Sequence, residues 1–160
     1  MKIGYQLKQV RERLAKGLVD KGILRTEKRN FLLFDMATHP VSDSSTKEEI
    51  VKRVISTLTH VNHSSAAITA SLDSNVPFGY LRTISMVCAA YAANVLENAL
   101  LQLTHELRER AYTKVDELLS EYSNYPFSTK TKVDIPEGKD SQIEVVAAVL
   151  NVFTKMDSIL

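Results

Sequence analysis

Residues 5 to 24 read YQLKQVRERLAKGLVDKGIL, and the fold turns on whether they form a helix. Leu7, Val10, Leu14 and Leu18 recur three and four residues apart, the spacing of the apolar stripe on an amphipathic helix. Lys21 and Gly22 follow, a basic last turn and the glycine that commonly stops a helix. The spacing predicts a helix over residues 5–20 with those four side chains in a core. Immediately after it, Ile23 to Thr26 and Phe31 to Phe34 flank the polar Glu27 to Asn30, which predicts a β-hairpin over residues 23–34 with Lys28 and Arg29 at its tip.

The remainder reads as helices. Ser45 and Glu48 have capping-box spacing before a helix with the face Val51, Val54, Ile55 and Leu58, ending near His60. Residues 62–79 are rich in small polar residues and end on Pro77 and Gly79, which predicts a long surface loop. From Tyr80 to Tyr122 the pattern is helical but too long for one globular helix, so a break is expected at Asn94, with Glu97 following, and a further bend near Thr104. Ser141 and Glu144 open a last helix through Ile143, Val146, Ala147, Leu150 and Phe153. Val145, Val149 and Val152 on its flanks predict burial nearly all round. The predicted fold class is mainly α, a helical bundle over residues 45–160 carrying one β-hairpin.

Composition narrows the function classes. A chain of 160 residues with 44% hydrophobic and 24% charged residues has the makeup of a single globular domain, able to bury roughly 70% of its unfolded surface. The single cysteine, Cys88, has no partner for an intramolecular disulfide and lies in an apolar run, which suits a small buried hydrophobe in a reducing compartment. No run of 18 apolar residues exists, so any membrane contact is expected at the surface. Charge is polarised. Residues 1 to 29 hold nine Lys or Arg against three acids, a surplus of six in a chain whose net charge is +1.

Catalytic and metal chemistry find little support. His39, His60, His63 and His105 have no further ligands at zinc spacing beside them, so neither a metal nor another cofactor is expected. No G-x-S-x-G, Walker or dinucleotide loop occurs among the five glycines. The carboxylate pairs Glu48 with Glu49 and Glu106 with Glu109 read as solvated helix charge. The expectation is a protein that is not an enzyme.

The basic segment remains. At about 100° per residue the apolar stripe spans an arc of about 80°, and Lys8 and Arg11 fall at its edge about 60° apart. They form either the solvated rim of a core stripe, which pattern alone favours, or a convergent pair for one phosphate, an ammonium beside a planar guanidinium fork. A winged-helix DNA binder shares the outline of helix, turn and basic hairpin, but no helix precedes the first, and a pI near 7.8 is low for that class. A purely structural oligomerisation module acting through the hairpin is the other alternative.

YQLKQVRERLAKGLVDKGIL and the following RTEKRNFLLFDMATHP resemble the Golgi phosphoprotein 3 family, nearest to its fungal members. YAANVLENAL and IEVVAAVLNVFTKMDSIL resemble its later helices. The resemblance implies the C-terminal part of a larger single domain. It also implies a peripheral adaptor on the cytosolic face of the Golgi, and in the cytoplasm, that takes part in vesicle-mediated transport. The implied partners are phosphatidylinositol 4-phosphate, the cytosolic tails of glycosyltransferases retained in the Golgi, the vesicle coat, and a second copy through the 23–34 hairpin; nucleic acid is not among them. By the same resemblance the phosphoinositide-binding residues fall on Lys8 and Arg11. The family's basic N-terminal tail, and the tryptophan and arginine that complete its lipid pocket, have no counterpart in this sequence.

Overall fold

A computed structural model describes residues 8–31, 34–59, 76–127, 135 and 137–156. Among them the chain is mainly helical, with one two-stranded antiparallel sheet. It divides into two compact units, Met1–Ile50 and Val51–Leu160. Leu7, His60, His63 and most of the predicted 62–79 loop lie outside the described residues.

In the first unit, helix α1 spans Val10–Asp20. It ends as the sequence leads one to expect. Gly22 has φ +74°, the Ile23 amide donates to the Leu18 carbonyl at 2.9 Å, and the Gly22 amide donates to Val19 at 2.9 Å. This pair of bonds is the Schellman arrangement, in which a left-handed residue lets the last carbonyls find donors. Two expectations are overturned here. Gln9 adopts a left-handed backbone, φ 54°, so Lys8 precedes the helix in a turn and its direction relative to Arg11 is not set by helical periodicity. The apolar stripe is not core either. Val10, Leu14 and Leu18 are 42%, 63% and 39% exposed, because amphipathic spacing marks the face that favours burial without supplying a surface to cover it.

The hairpin is real, but displaced along the chain. Strand β1 is Glu27–Phe31 and β2 is Phe34–Thr38, paired from Glu27 opposite Thr38 to Phe31 opposite Phe34. The same register continues through the isolated bridge of Leu24 with Val41, helped by the Arg25 amide donating to the Pro40 carbonyl at 3.0 Å. Residues 27–30, expected as a turn, therefore form most of β1, and Lys28 and Arg29 lie within the strand instead of at a tip.

Helix α2, Ser44–Thr59, is capped by Asp43 and not by the predicted Ser45–Glu48 box. The Asp43 carboxylate accepts from the Ser45 hydroxyl at 2.6 Å, the Thr46 hydroxyl at 2.6 Å and both of their amides. Those donors, the Ser45 hydroxyl foremost and the Thr46 hydroxyl next, lower its pKa from 3.8 to about 2. A carboxyl with a depressed folded-state pKa contributes stability above its unfolded value and loses it as pH falls through the folded value. The start of α2 is thus expected to fray between about pH 4 and pH 2. Amide NMR shifts of Ser45 and Thr46 should titrate with a midpoint near 2. Asp43→Asn should hold the cap at neutral pH and abolish that titration.

In the second unit, helix α3 is Gly79–Ala92, the one-turn α4 is Glu97–Leu100, α5 is His105–Tyr122 and α6 is Asp140–Phe153. Ile84, Val87 and Cys88 of α3, Val115 of α5, and Ile143 and Leu150 of α6 are essentially inaccessible to solvent. Val54 and Leu58 of α2 and Leu100 of α4 join this core. Cys88 is buried as expected, and burial pushes its thiol up to about 12. Thr57 and Thr83 are buried among these apolar residues and bond their hydroxyls to the carbonyls of Arg53 and Gly79 one turn back.

The breaks at Asn94 and Thr104 fall where expected, with one change of role. Asn94 has φ 54° and ends α3 by donating to Tyr91, so it closes a helix instead of opening one. Thr104 caps α5, its hydroxyl accepting from the Leu107 amide at 3.4 Å. Helix α6 starts at Asp140 with no side-chain cap, so Ser141 and Glu144 make no capping box. It is also not buried all round. Val145, Val149 and Val152 are 64%, 48% and 56% exposed, because the helices that pack against it, α3 and α5, leave these side chains uncovered.

Candidate functional site

Lys8 and Arg11 are both exposed, at the N-terminal end of α1. The Arg13 amide donates to Gln9 at 3.0 Å, which makes Gln9 the cap residue, yet its side chain makes no capping bond. The amides of the first turn therefore point out of the helix without an acceptor from the Gln9 side chain, and the helix dipole places partial positive charge there. One cation just before this end and one in its first turn make it electropositive, with Glu12 the acid in the same turn. Such an end attracts a phosphate on general grounds.

The other basic residues of the first unit divide by their partners. Arg25 is committed to structure, pairing Glu27 at 2.6 Å and donating to the Val41 carbonyl at 3.3 Å. Arg13, Lys16, Lys28 and Arg29 are exposed. Across the hairpin Arg29 sits opposite Met36, itself 47% exposed, and Lys28 opposite Ala37. The ribbon therefore carries cations and apolar surface side by side.

The carboxylates singled out in the sequence have ordinary surroundings. Glu106 pairs Arg110 at 3.1 Å and Glu109 faces His105 at 3.9 Å, all on the exposed side of α5. Solvated pairs of this kind are worth little to stability. Among the described residues no three His, Cys, Asp or Glu side chains are grouped to hold a metal ion, and no helix is long and apolar enough to cross a membrane. Sequence reasoning passed over Asp43 as a cap and the gathering of Asn94, Asn124 and Asn151 around one cleft. Asparagine near a helix end is the available signal, and it marks Asn94 alone among the three in the sequence reading.

Comparison with known proteins places this geometry in a family context. The model of the Golgi phosphoprotein 3 (GPP34) family matches residues 2–139. The chain is 53% identical over its full length to the vacuolar protein sorting-associated protein 74 of Schizosaccharomyces pombe, covering 52% of that protein. It is 46% identical to the protein of the same name from Eremothecium gossypii, covering 53% of it. The chain spans about half the length of these curated relatives.

Proposed function

The chain belongs to the Golgi phosphoprotein 3 family, and from that premise we propose that it serves as part of a peripheral Golgi adaptor in protein sorting. In this reading it recognises phosphatidylinositol 4-phosphate on the cytosolic leaflet, holds the cytosolic tails of glycosyltransferases, and hands both to a vesicle coat. It performs no catalysis. The observation that carries the lipid step is the pairing of Lys8 and Arg11 with the uncapped N-terminus of α1. The monoester phosphate of the headgroup would accept from the first-turn amides and from the Arg11 guanidinium, while Lys8 supplies a point charge.

Affinity from these groups alone is modest. Each cation near an anionic leaflet contributes about 1 kcal/mol, so stable attachment needs a second contact or several copies. The hairpin offers one, because the exposed Met36 of β2 sits opposite Arg29 of β1, with Lys28 beside it in the same strand. Flotation of the chain with vesicles that contain or lack phosphatidylinositol 4-phosphate tests the assignment.

A second reading is favoured by the open edges of a two-stranded sheet, which can pair with another copy. In that reading the hairpin assembles the protein, and light scattering on a Met36→Lys variant separates the two. A change of mass with lipid binding retained supports assembly as a distinct role. The winged-helix alternative loses its main feature, since Lys28 and Arg29 are strand residues and not a basic wing tip.

A further inference from the structure

Where the start of α3 packs against the start of α6, the two helices leave space between them. Leu81, Arg82 and Ser85 of α3 and Gln142, Ile143 and Val146 of α6 line a cavity of about 460 Å³, together with Phe78, the residue before α3. Residues 81, 82 and 85 share one face of α3, and 142, 143 and 146 share one face of α6. Ser85 and Val146 are the short side chains of these walls, and longer ones would fill the space.

The walls are apolar. Leu81 and Ile143 are buried, and Phe78 and Val146 are half-buried. Ser85 adds little polarity, because its hydroxyl donates to the Leu81 carbonyl at 2.8 Å and is thereby engaged within the helix. Phe78 has a left-handed backbone, φ 57°, which bulky residues rarely adopt, and strain of that kind gathers at ligand sites.

Arg82 carries the one charge among the described lining residues. Its Nε donates to the Pro77 carbonyl at 2.8 Å, which fixes the guanidinium plane. Among the described residues its two terminal nitrogens make no hydrogen bond or ion pair. They form a fork for one planar anion, and Gln142 brings a side-chain amide to the same lining. A single positive charge matches a carboxylate, whereas a phosphomonoester carries nearly two negative charges and draws further cations.

We propose that this cavity binds a free fatty acid of medium chain length, its carboxylate on Arg82 and its hydrocarbon chain between Phe78, Leu81, Ile143 and Val146. Ligand cavities run from about 300 to 1,000 Å³. This one, at about 460 Å³, takes one acyl chain and not the paired chains of a bilayer lipid. The proposal is independent of the phosphoinositide reading, because every residue it uses lies in the second unit.

The test is an NMR titration of the whole chain with hexanoate, octanoate and decanoate, each below its micellar concentration, and with octanol and octyl phosphate. The fatty acids should shift the amide signals of Leu81, Arg82, Ser85, Ile143 and Val146. Affinity should rise about fourfold for each methylene added. Octanol should bind at least tenfold more weakly than octanoate, since the hydrogen bonds to a charged group are lost. Arg82→Gln, at an exposed position where melting temperature should hold, should erase that difference and leave octanol binding unchanged. Val146→Phe fills the cavity from α6 and should abolish binding of both ligands, and Ser85→Leu does the same from α3 if the first variant fails to fold. Equal affinity for octanoate and octanol in the unsubstituted protein, affinity that ignores chain length, shifts confined to other residues, or full binding by the folded filling variants would overturn the proposal. Octyl phosphate binding more tightly than octanoate would overturn it too, by assigning the cavity to a phosphorylated lipid.

Discussion

Ile84→Ala is expected to lower the unfolding free energy of the second unit by about 2–5 kcal/mol. Ile84 is fully buried at the centre of α3, and its removal leaves a cavity bounded by a core that α3, α5 and α6 share. The cost has two parts, the lost transfer of the side chain from water and the unfilled space, because packed neighbours relax only partly. Against a typical domain stability of about 5–15 kcal/mol this is a large fraction. Urea denaturation followed by circular dichroism reads it as a fall in midpoint without a change in slope. Val149→Ala, on the exposed side of α6 at 48% exposure, is the matched control and should shift stability by less than about 0.5 kcal/mol. Equal effects of the two would show that α6 is covered on both sides, contrary to the burial described.

Lys8→Ala combined with Arg11→Ala is expected to reduce partition of the protein onto phosphatidylinositol 4-phosphate vesicles by roughly 30-fold. Two cations at about 1 kcal/mol each give about 2 kcal/mol, and each 1.4 kcal/mol is tenfold. The single variants should each lose about fivefold. Both residues are exposed and α1 buries none of its side chains, so the double variant should melt like the parent and its loss can be assigned to the surface. An Arg13→Ala and Lys16→Ala pair, equal in charge but further along α1, should lose less, because those groups lie away from the first-turn amides. If the two pairs lose equally, the α1 end is acting as diffuse charge and not as a headgroup contact.

Much of the fold was legible because its punctuation is local. Gly22, Asn94 and Thr104 mark helix ends through backbone preferences that need no tertiary neighbour, and all three mark them in the structure. The hairpin was legible in kind but not in register. Expecting the strands at Ile23 to Thr26 and Phe31 to Phe34 assumes that apolar residues pair and polar ones turn. Yet Lys28, Arg29, Asn30, Asp35 and Met36 are all exposed, and where the described side chains of a ribbon form no buried face, hydropathy has little with which to fix the register.

The two apolar stripes teach a related point. Val10, Leu14 and Leu18 on α1, and Val145, Val149 and Val152 on α6, have the spacing of buried faces and are exposed. Periodicity reports which face of a helix is apolar, while burial depends on which other elements reach it. The wheel that brings Lys8 beside Arg11 assumes helix through Gln9, whose left-handed backbone no wheel contains, so their assignment as lipid residues rests on the family resemblance. The cleft around Asn94, Asn124 and Asn151 was not readable at all, because it joins residues from Tyr91 to Thr154 that only the packing of α3, α5 and α6 brings together.

The central claim is that a phosphoinositide headgroup, and not negative charge in general, recruits this protein. The most direct measurement is flotation of the unsubstituted chain with phosphatidylcholine vesicles carrying phosphatidylinositol 4-phosphate, beside vesicles carrying enough phosphatidylserine to match their surface charge. The account predicts at least a tenfold preference for the phosphoinositide vesicles that survives a rise in salt from 50 to about 150 mM, a range over which screening weakens diffuse attraction. Equal partition onto both vesicle types would contradict it.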